Sequence, residues 1–165
     1  TEISQKDSLK AKSIELFREM YWNNLPDPVS WTNDYENLFT ESEQKKLDSV
    51  IAKFEKETSI EISIVTIDTI KISQEKFEDL TLHMARTWKI GKVDKDNGIL
   101  IGISKGYRRN RIQNGNGIEK IITDDETKNI IETYFIPYFR KGEYYEGTFI
   151  GLGELIKLLK NKIEK

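Results

Sequence analysis

The residues with the widest chemical reach in this sequence are carboxylates placed where elements begin and end. Asp34 follows the first extended segment, and Asp94, Asp96 and Asn97 precede an apolar run. Glu119 follows a hairpin pattern, and Asp124 and Asp125 open a helix. Loops at one edge of an α/β sheet are the usual position for a site. Carboxylates drawn from several such loops, with backbone carbonyls, make a hard-oxygen cage suited to Ca²⁺ or Mg²⁺. Irregular loops favour Ca²⁺, which tolerates uneven coordination. The competing reading makes each group a helix cap or a solvated loop charge.

Other chemistries have less footing. Cysteine is absent, which excludes disulfides, thiolate catalysis and Cys-based zinc sites. The single histidine, His83, excludes a His-rich metal site and an HExxH motif. It lies beside the inward stripe of its helix and reads as a structural or exposed residue. Asp94-Lys95-Asp96-Asn97-Gly98 begins like an EF-hand loop, but its glycine comes one residue early and an apolar strand follows. A phosphatase with paired aspartates would carry them just after a strand, and this pair lies just before one. Asn114-Gly115-Asn116-Gly117 lacks the spacing of either phosphate-binding glycine motif and reads as a flexible turn. Tyr107, Arg108, Arg109 and Arg111 form a basic hairpin that could hold a phosphoryl group or an acidic partner; alternation makes it a solvent face opposite Ile112. Residues 134–145 are rich in Tyr and Phe, which suits core packing, with a partner groove as the alternative.

Composition narrows the class. The 165 residues are 33% charged and 37% hydrophobic, and aromatics at 10% supply core material. One compact domain fits this length. Lys and Arg number 26 against 28 Asp and Glu, a net charge of −2. That balance argues against nucleic acid as a partner. No apolar stretch approaches the roughly 20 residues of a membrane span. The segment from Thr1 to Lys12 lacks an apolar core, so a soluble domain without a signal peptide or anchor in this chain is expected, and the compartment stays open.

The elements that must position these groups follow from periodicity. Residues 7–22 carry Leu9, Ile14, Phe17, Met20 and Tyr21 on one stripe, a helix ended by Pro26 and Pro28. Residues 1–24 are thus an N-terminal helical extension, and 25–162 form the main domain. Val29 to Asn33 is extended. Thr40 and Glu43 form a capping box before a helix over 41–57. Residues 60–67 alternate as a strand. Ser73 caps a helix over 74–88, closed by Gly91. Residues 98–103 are a continuous apolar strand, expected centrally in the sheet, and 108–113 pair back as a hairpin. Asp124 caps a helix over 125–135, bounded by Pro137, and a last helix runs from Glu143 or Tyr144 to about residue 162. Helices alternating with strands predict an α/β fold with a mixed central sheet covered on both faces.

Taken in order, several segments resemble the TPM domain family of thylakoid lumen proteins, photosystem II repair proteins and membrane-associated relatives. They are Trp31-Thr32-Asn33-Asp34-Tyr35, Trp88-Lys89-Ile90-Gly91, Asp96-Asn97-Gly98-Ile99-Leu100, Arg111-Ile112, Gly115-x-Gly117-Ile118-Glu119, Thr123-Asp124 and Ile136-Pro137-Tyr138-Phe139-Arg140-Lys141-Gly142-Glu143-Tyr144. The resemblance implies a three-layer α/β/α sandwich with a divalent-metal site in loops at one sheet edge. Carried over position by position, it implies Asp34, Asp96 and Asp124 as ligands, joined by Glu119 and Asn97. Acid phosphatase activity is attributed to some members. Two departures stand out. The family's Gly-Tyr-Gly-Leu-Glu-Gly is Gly115-Asn116-Gly117-Ile118-Glu119-Lys120 here, and the signal peptide and anchor frequent in relatives are not expected within these residues.

The leading expectation is a Ca²⁺- or Mg²⁺-binding module. One alternative is a metal-dependent phosphomonoesterase, with Asp96 or Asp124 as nucleophile or base and Arg108 or Arg111 as an anion clamp. The other is an assembly or repair factor that docks a membrane protein complex through the aromatic segment.

Overall fold

A computed structural model describes residues 2–164. The chain opens with a long helix, α1 (Glu2–Asn23), followed by a short strand, β1 (Thr32–Asp34). Helix α2 (Glu41–Thr58) leads to β2 (Glu61–Thr66). A 3₁₀ turn, Gln74–Lys76, enters α3 (Phe77–Thr87). The hairpin of β3 (Gly98–Ser104) and β4 (Arg109–Asn114) follows. Four helices complete the chain: α4 (Asn116–Glu119), α5 (Asp124–Ile130), α6 (Ile136–Phe139) and α7 (Tyr144–Ile163).

The strands form one sheet in the order β1-β2-β3-β4. β1 and β2 are parallel, β2 and β3 are parallel, and β3 and β4 are antiparallel, so the sheet is mixed as expected. Every residue of β3 is buried. Alternation splits the core in two. Ile62, Ile64, Ile99, Ile101, Ile103 and Ile112 face α2, α5 and α7. Val65 and Leu100 face Phe77, Leu80 and Met84 of α3 on the other side. Two buried faces make three layers, an α/β/α sandwich.

Local chemistry explains most element ends. The Thr40–Glu43 box is closed in both directions, Glu43 N to Thr40 Oγ1 at 3.1 Å and Thr40 N to Glu43 Oε1 at 2.9 Å. Thr123, not Asp124, caps α5, because Glu126 three residues on completes a second box with it. Ser73 sits at a helix start but makes no side-chain cap. The left-handed residue that turns the chain after α3 is Lys89 (φ 52); Gly91 follows two residues later (φ 102). The 125–135 helix is interrupted: Ile131–Phe135 form a π-helical turn. The turn seats Phe135 against α7, where a Cβ at Gly151 would collide with its ring. The 114–117 turn is ordered as the end of β4 and the start of α4.

Helix α1 starts earlier than its stripe indicates, and none of its residues is fully buried. Its C-terminal end is held by specific contacts. Tyr21 and Trp22 pack on the α3 side of the core. Trp22 stacks on His83 at 4.2 Å, and His83 Nε2 lies 2.8 Å from the Trp22 carbonyl. Arg18 donates to the Thr69 carbonyl at 2.9 Å. Burial, with the nearby Tyr35 adding to it, pushes the Tyr21 phenol up to about 12. Among the described residues no helix is long and apolar enough to cross a membrane.

Candidate functional site

Strand polarity sorts the five expected ligands. At the upper edge lie the C-terminal ends of β1, β2 and β3. At the lower edge lie the starts of β2 and β3 and the end of β4. Asp34 closes β1 opposite Thr66, and Thr66 is opposite Ile103 near the top of β3. Asp96 and Asn97 directly precede Gly98, at the foot of β3. Gly98 and Ile103 are five residues apart on β3, about 17 Å along an extended strand. Ca²⁺–oxygen bonds are about 2.4 Å. One ion therefore cannot touch both Asp34 and Asp96, and the single cage of Asp34, Asp96 and Asp124 is corrected by the direction of the strands.

Asp34 already has work to do at the upper edge. Its Oδ1 accepts from Leu38 N at 3.0 Å and Thr66 Oγ1 at 2.8 Å, and its Oδ2 accepts from Phe39 N at 2.8 Å. It pins the loop before α2 to the sheet. Asn97 is buried with its amide committed in both directions. Its Oδ1 accepts from Lys92 N at 2.8 Å, and its Nδ2 donates to the carbonyl and hydroxyl of Ser59, each at 3.1 Å. Asp124 is an exposed first-turn residue of α5 and does not line the cleft described next.

Asp96 and Glu119 share a cleft of about 640 Å³ at the lower edge. Its walls are the segment after α3 and the foot of the β3–β4 hairpin. The loops are locked backbone to backbone: Gly115 N donates to the Gly98 carbonyl at 2.8 Å, and Gly117 N to the Asp96 carbonyl at 2.9 Å. Any side chain at Gly117 would strike the Lys95 carbonyl. Asp96 itself is left-handed (φ 49), a conformation that aspartate tolerates better than most residues. Both carboxylates are exposed. The facing wall carries Arg86, Lys89 and Lys92. Lys92 Nζ is 2.8 Å from Glu61 Oε1 and 3.5 Å from Glu55 Oε2, and the Glu61 bond raises the ammonium above its ordinary value. Glu61 also accepts from Gly91 N, so this ion pair braces the loop.

Among the described residues no three His, Cys, Asp or Glu side chains are grouped to hold a metal ion. The donors fit a cation in part: Asp96 and Glu119 supply carboxylates, and the remaining oxygens would come from backbone and water. The phosphatase scheme is not assembled. Arg108 lies in the β3–β4 turn at the upper edge, at the far end of the hairpin from Asp96. Arg111 Nη1 is directed at Glu78 (4.0 Å) and its Nη2 at Gln113 (3.4 Å).

Sequence reasoning missed two carboxylates at the upper edge, Glu36 and Asp68. Glu36 Oε1 accepts from Lys105 N at 2.9 Å. Burial raises the Glu36 pKa; bonds from the Lys105 and Gly106 amides oppose it, and Asp68 and Asp34 add to it. The signal was present: Asp68 follows the 60–67 strand directly, and Glu36 lies two residues beyond Asp34.

The family model for the TPM domain matches residues 32–158, from the first strand to the last helix. The chain belongs to the TPM domain family. Among solved structures, this TPM chain is similar to the N-terminal domain of a protein from P. gingivalis, at 28% identity and a TM-score of 0.73, over 81% of this chain and 84% of that one. It is similar to the BA42 protein from the psychrophilic bacterium Bizionia argentinensis, at 24% identity and a TM-score of 0.63, over 78% and 86%. It also shares its fold with the N-terminal domain of the cg2496 protein from Corynebacterium glutamicum, at 14% identity and a TM-score of 0.57, over 79% and 80%. No protein with a curated description matches the sequence.

Proposed function

We propose that this TPM domain is a binding module for a divalent cation, taken up at the Asp96–Glu119 end of the lower-edge cleft. The observation that carries the reading is that these two carboxylates share one cleft, on a loop and a short helix braced backbone to backbone. Of the five expected ligands, Asp96 and Glu119 keep their carboxylates exposed in that cleft. Hard oxygen donors, one on a loop and one at the end of the short helix α4, suit Ca²⁺, and Mg²⁺ would demand a stricter octahedron. Two carboxylates without a third make a weak site, with a Kd of about 0.1–1 mM, as in extracellular calcium modules. Asp124, on α5 outside the cleft, is a candidate only if the ion draws its loop inward.

Bound there, the ion would neutralise Asp96 and Glu119 and tie the foot of β3 to α4. An ion that binds only the folded domain stabilises it by RT ln(1 + [L]/Kd), about 1.4 kcal/mol at tenfold excess. For a domain of this size that is a rise in Tm of about 3–6 °C. Thermal unfolding in millimolar Ca²⁺ and in EDTA tests this, with wild type beside Asp96→Ala. The wild-type rise should be largely lost in the variant. A Tm indifferent to Ca²⁺ in metal-free protein would leave Asp96 and Glu119 as loop charges. Among the described residues, the anion-clamp candidate Arg108 and the carboxylate Asp96 stand at opposite ends of the hairpin, which does not favour the phosphatase alternative. Turnover of a generic phosphomonoester should be weak or absent.

A further inference from the structure

A second cavity, of about 820 Å³, lies on the α7 side of the sheet, between the start of β4 and the segment 131–144. Four cations line it: Arg108 and Arg109 from the hairpin, and Arg140 and Lys141 from the turn before α7. Among the described residues none of the four has a carboxylate within 4.0 Å; the ion pairs of the domain are made by other residues. Glu132 is the one carboxylate on the lining, and its nearest cation is Lys128, at 4.0 Å. Glu36 and Asp68 lie in the adjoining upper-edge cleft, which shares Arg108 and Tyr144 with this cavity. Gathering cations without counter-charges costs Coulomb energy, which an anionic ligand would relieve.

An independent feature lies in the same wall. Asn110 lines the cavity, and both Nδ2 and Oδ1 of its side chain are buried without a hydrogen-bond partner. Leaving one such group unpaired costs about 1–3 kcal/mol, and native proteins rarely leave both atoms of one amide so. Both atoms are closed to solvent, so they mark a polar spot just behind the cavity wall, where an added charge would be felt by a bound molecule. Phe139 and Tyr144 add aromatic surface. The π-helical turn just before α6 shifts the register of the helical wall, and such turns are frequent where a helix serves a site.

We infer that this cavity binds an organic phosphate of nucleotide size, its phosphoryl oxygens held by Arg108, Arg109, Arg140 and Lys141 and its ring body set against Phe139 and Tyr144. Three arginines favour an oxyanion that accepts forked hydrogen bonds. The volume suits a small molecule with a body, beyond a bare ion. This site is separate from the Asp96–Glu119 cleft and needs no metal.

The test is an NMR titration of ¹⁵N-labelled full chain in EDTA with AMP, adenosine, inorganic phosphate and a tetraglutamate peptide. AMP should bind with a Kd below about 1 mM, moving amides of residues 108–111 and 131–144. Adenosine should bind at least tenfold more weakly, for want of the charge. Phosphate should compete weakly at the same amides. Arg140→Gln, an exposed position, and Asn110→Asp, which keeps the shape and adds a negative charge, should each weaken AMP at least tenfold. Lys45→Gln on α2 should leave the affinity unchanged. Folding of each variant is read from its own spectrum. Four results would overturn the inference: AMP shifts scattered over the basic surface, equal binding of AMP and adenosine, AMP affinity unchanged in Arg140→Gln, or tetraglutamate binding where AMP does not.

Discussion

The two edges of the sheet carry similar residues and use them in opposite ways. At the upper edge, Asp34 and Glu36 spend their oxygens on backbone amides of neighbouring segments. At the lower edge, backbone bonds and the Glu61–Lys92 pair brace the loops, and Asp96 and Glu119 are left exposed. A carboxylate's availability is thus decided by whether the main chain around it satisfies itself. Substitutions at the two edges should separate stability from ion binding.

The largest effect should come from Asp34→Ala. It leaves two amides and the Thr66 hydroxyl without their acceptor. Hydrogen bonds to charged groups are worth about 1.5–3 kcal/mol each and are not additive, so a loss of about 2–4 kcal/mol is expected in urea unfolding. The Ca²⁺ response should survive it. Gly117→Ala should come next. Its Cβ meets the Lys95 carbonyl, which has to move, at a cost of about 1–3 kcal/mol. Because that shift displaces the loop carrying Asp96, the Ca²⁺ response should weaken as well. Asp96→Asn, which keeps a residue type that tolerates the left-handed backbone, should change metal-free stability by no more than about 0.5 kcal/mol, while removing most of the Ca²⁺ response. A metal-free loss as large as that of Asp34→Ala would erase the contrast between the edges.

The smallest effects carry a sign. Glu36 titrates above its ordinary value in the folded state, so the fold binds more protons than the unfolded chain just above the usual Glu range. Stability therefore falls as pH rises through that window. Glu36→Gln keeps an acceptor for Lys105 N and removes the charge. It should be more stable than the parent at neutral pH, with the gain vanishing below the ordinary Glu range. Glu126 has the opposite sign. The Thr123 amide and Lys162 hold its carboxyl low, so its contribution is present above the ordinary Glu pKa and lost as pH falls through the folded value. Glu126→Gln should be slightly less stable at neutral pH and equal in acid. Denaturant midpoints across pH check both.

Much of the fold was legible because it rests on local rules. The Thr40–Glu43 box, the alternation of 60–67 and the apolar run at 98–103 each name their element without a partner in view. Helix α1 was legible as a helix, but its start was not, since residues 2–13 are exposed and no buried stripe marks where it begins. The π-helical turn depends on Phe135 meeting Gly151, a contact between segments that no local pattern reveals. The candidate site was legible in residue type and illegible in arrangement. Asp34 and Asp96 look equivalent in the sequence, each beside a strand. One follows its strand and the other precedes it, and parallel pairing then sends them to opposite edges. Asn97 looked like a ligand, but its amide is consumed by Lys92 and Ser59, a partner 38 residues away in sequence.

The most direct measurement is a Ca²⁺ titration of the metal-free domain followed amide by amide in ¹H–¹⁵N spectra. Saturable shifts are expected in residues 92–98 and 115–120, with residues 34–39 and 66–69 unmoved, and the same pattern in Asp34→Asn. Shifts centred on residues 34–39 and 66–69, or no saturable shift up to about 10 mM, well above the Kd range of the weakest calcium modules, would contradict it.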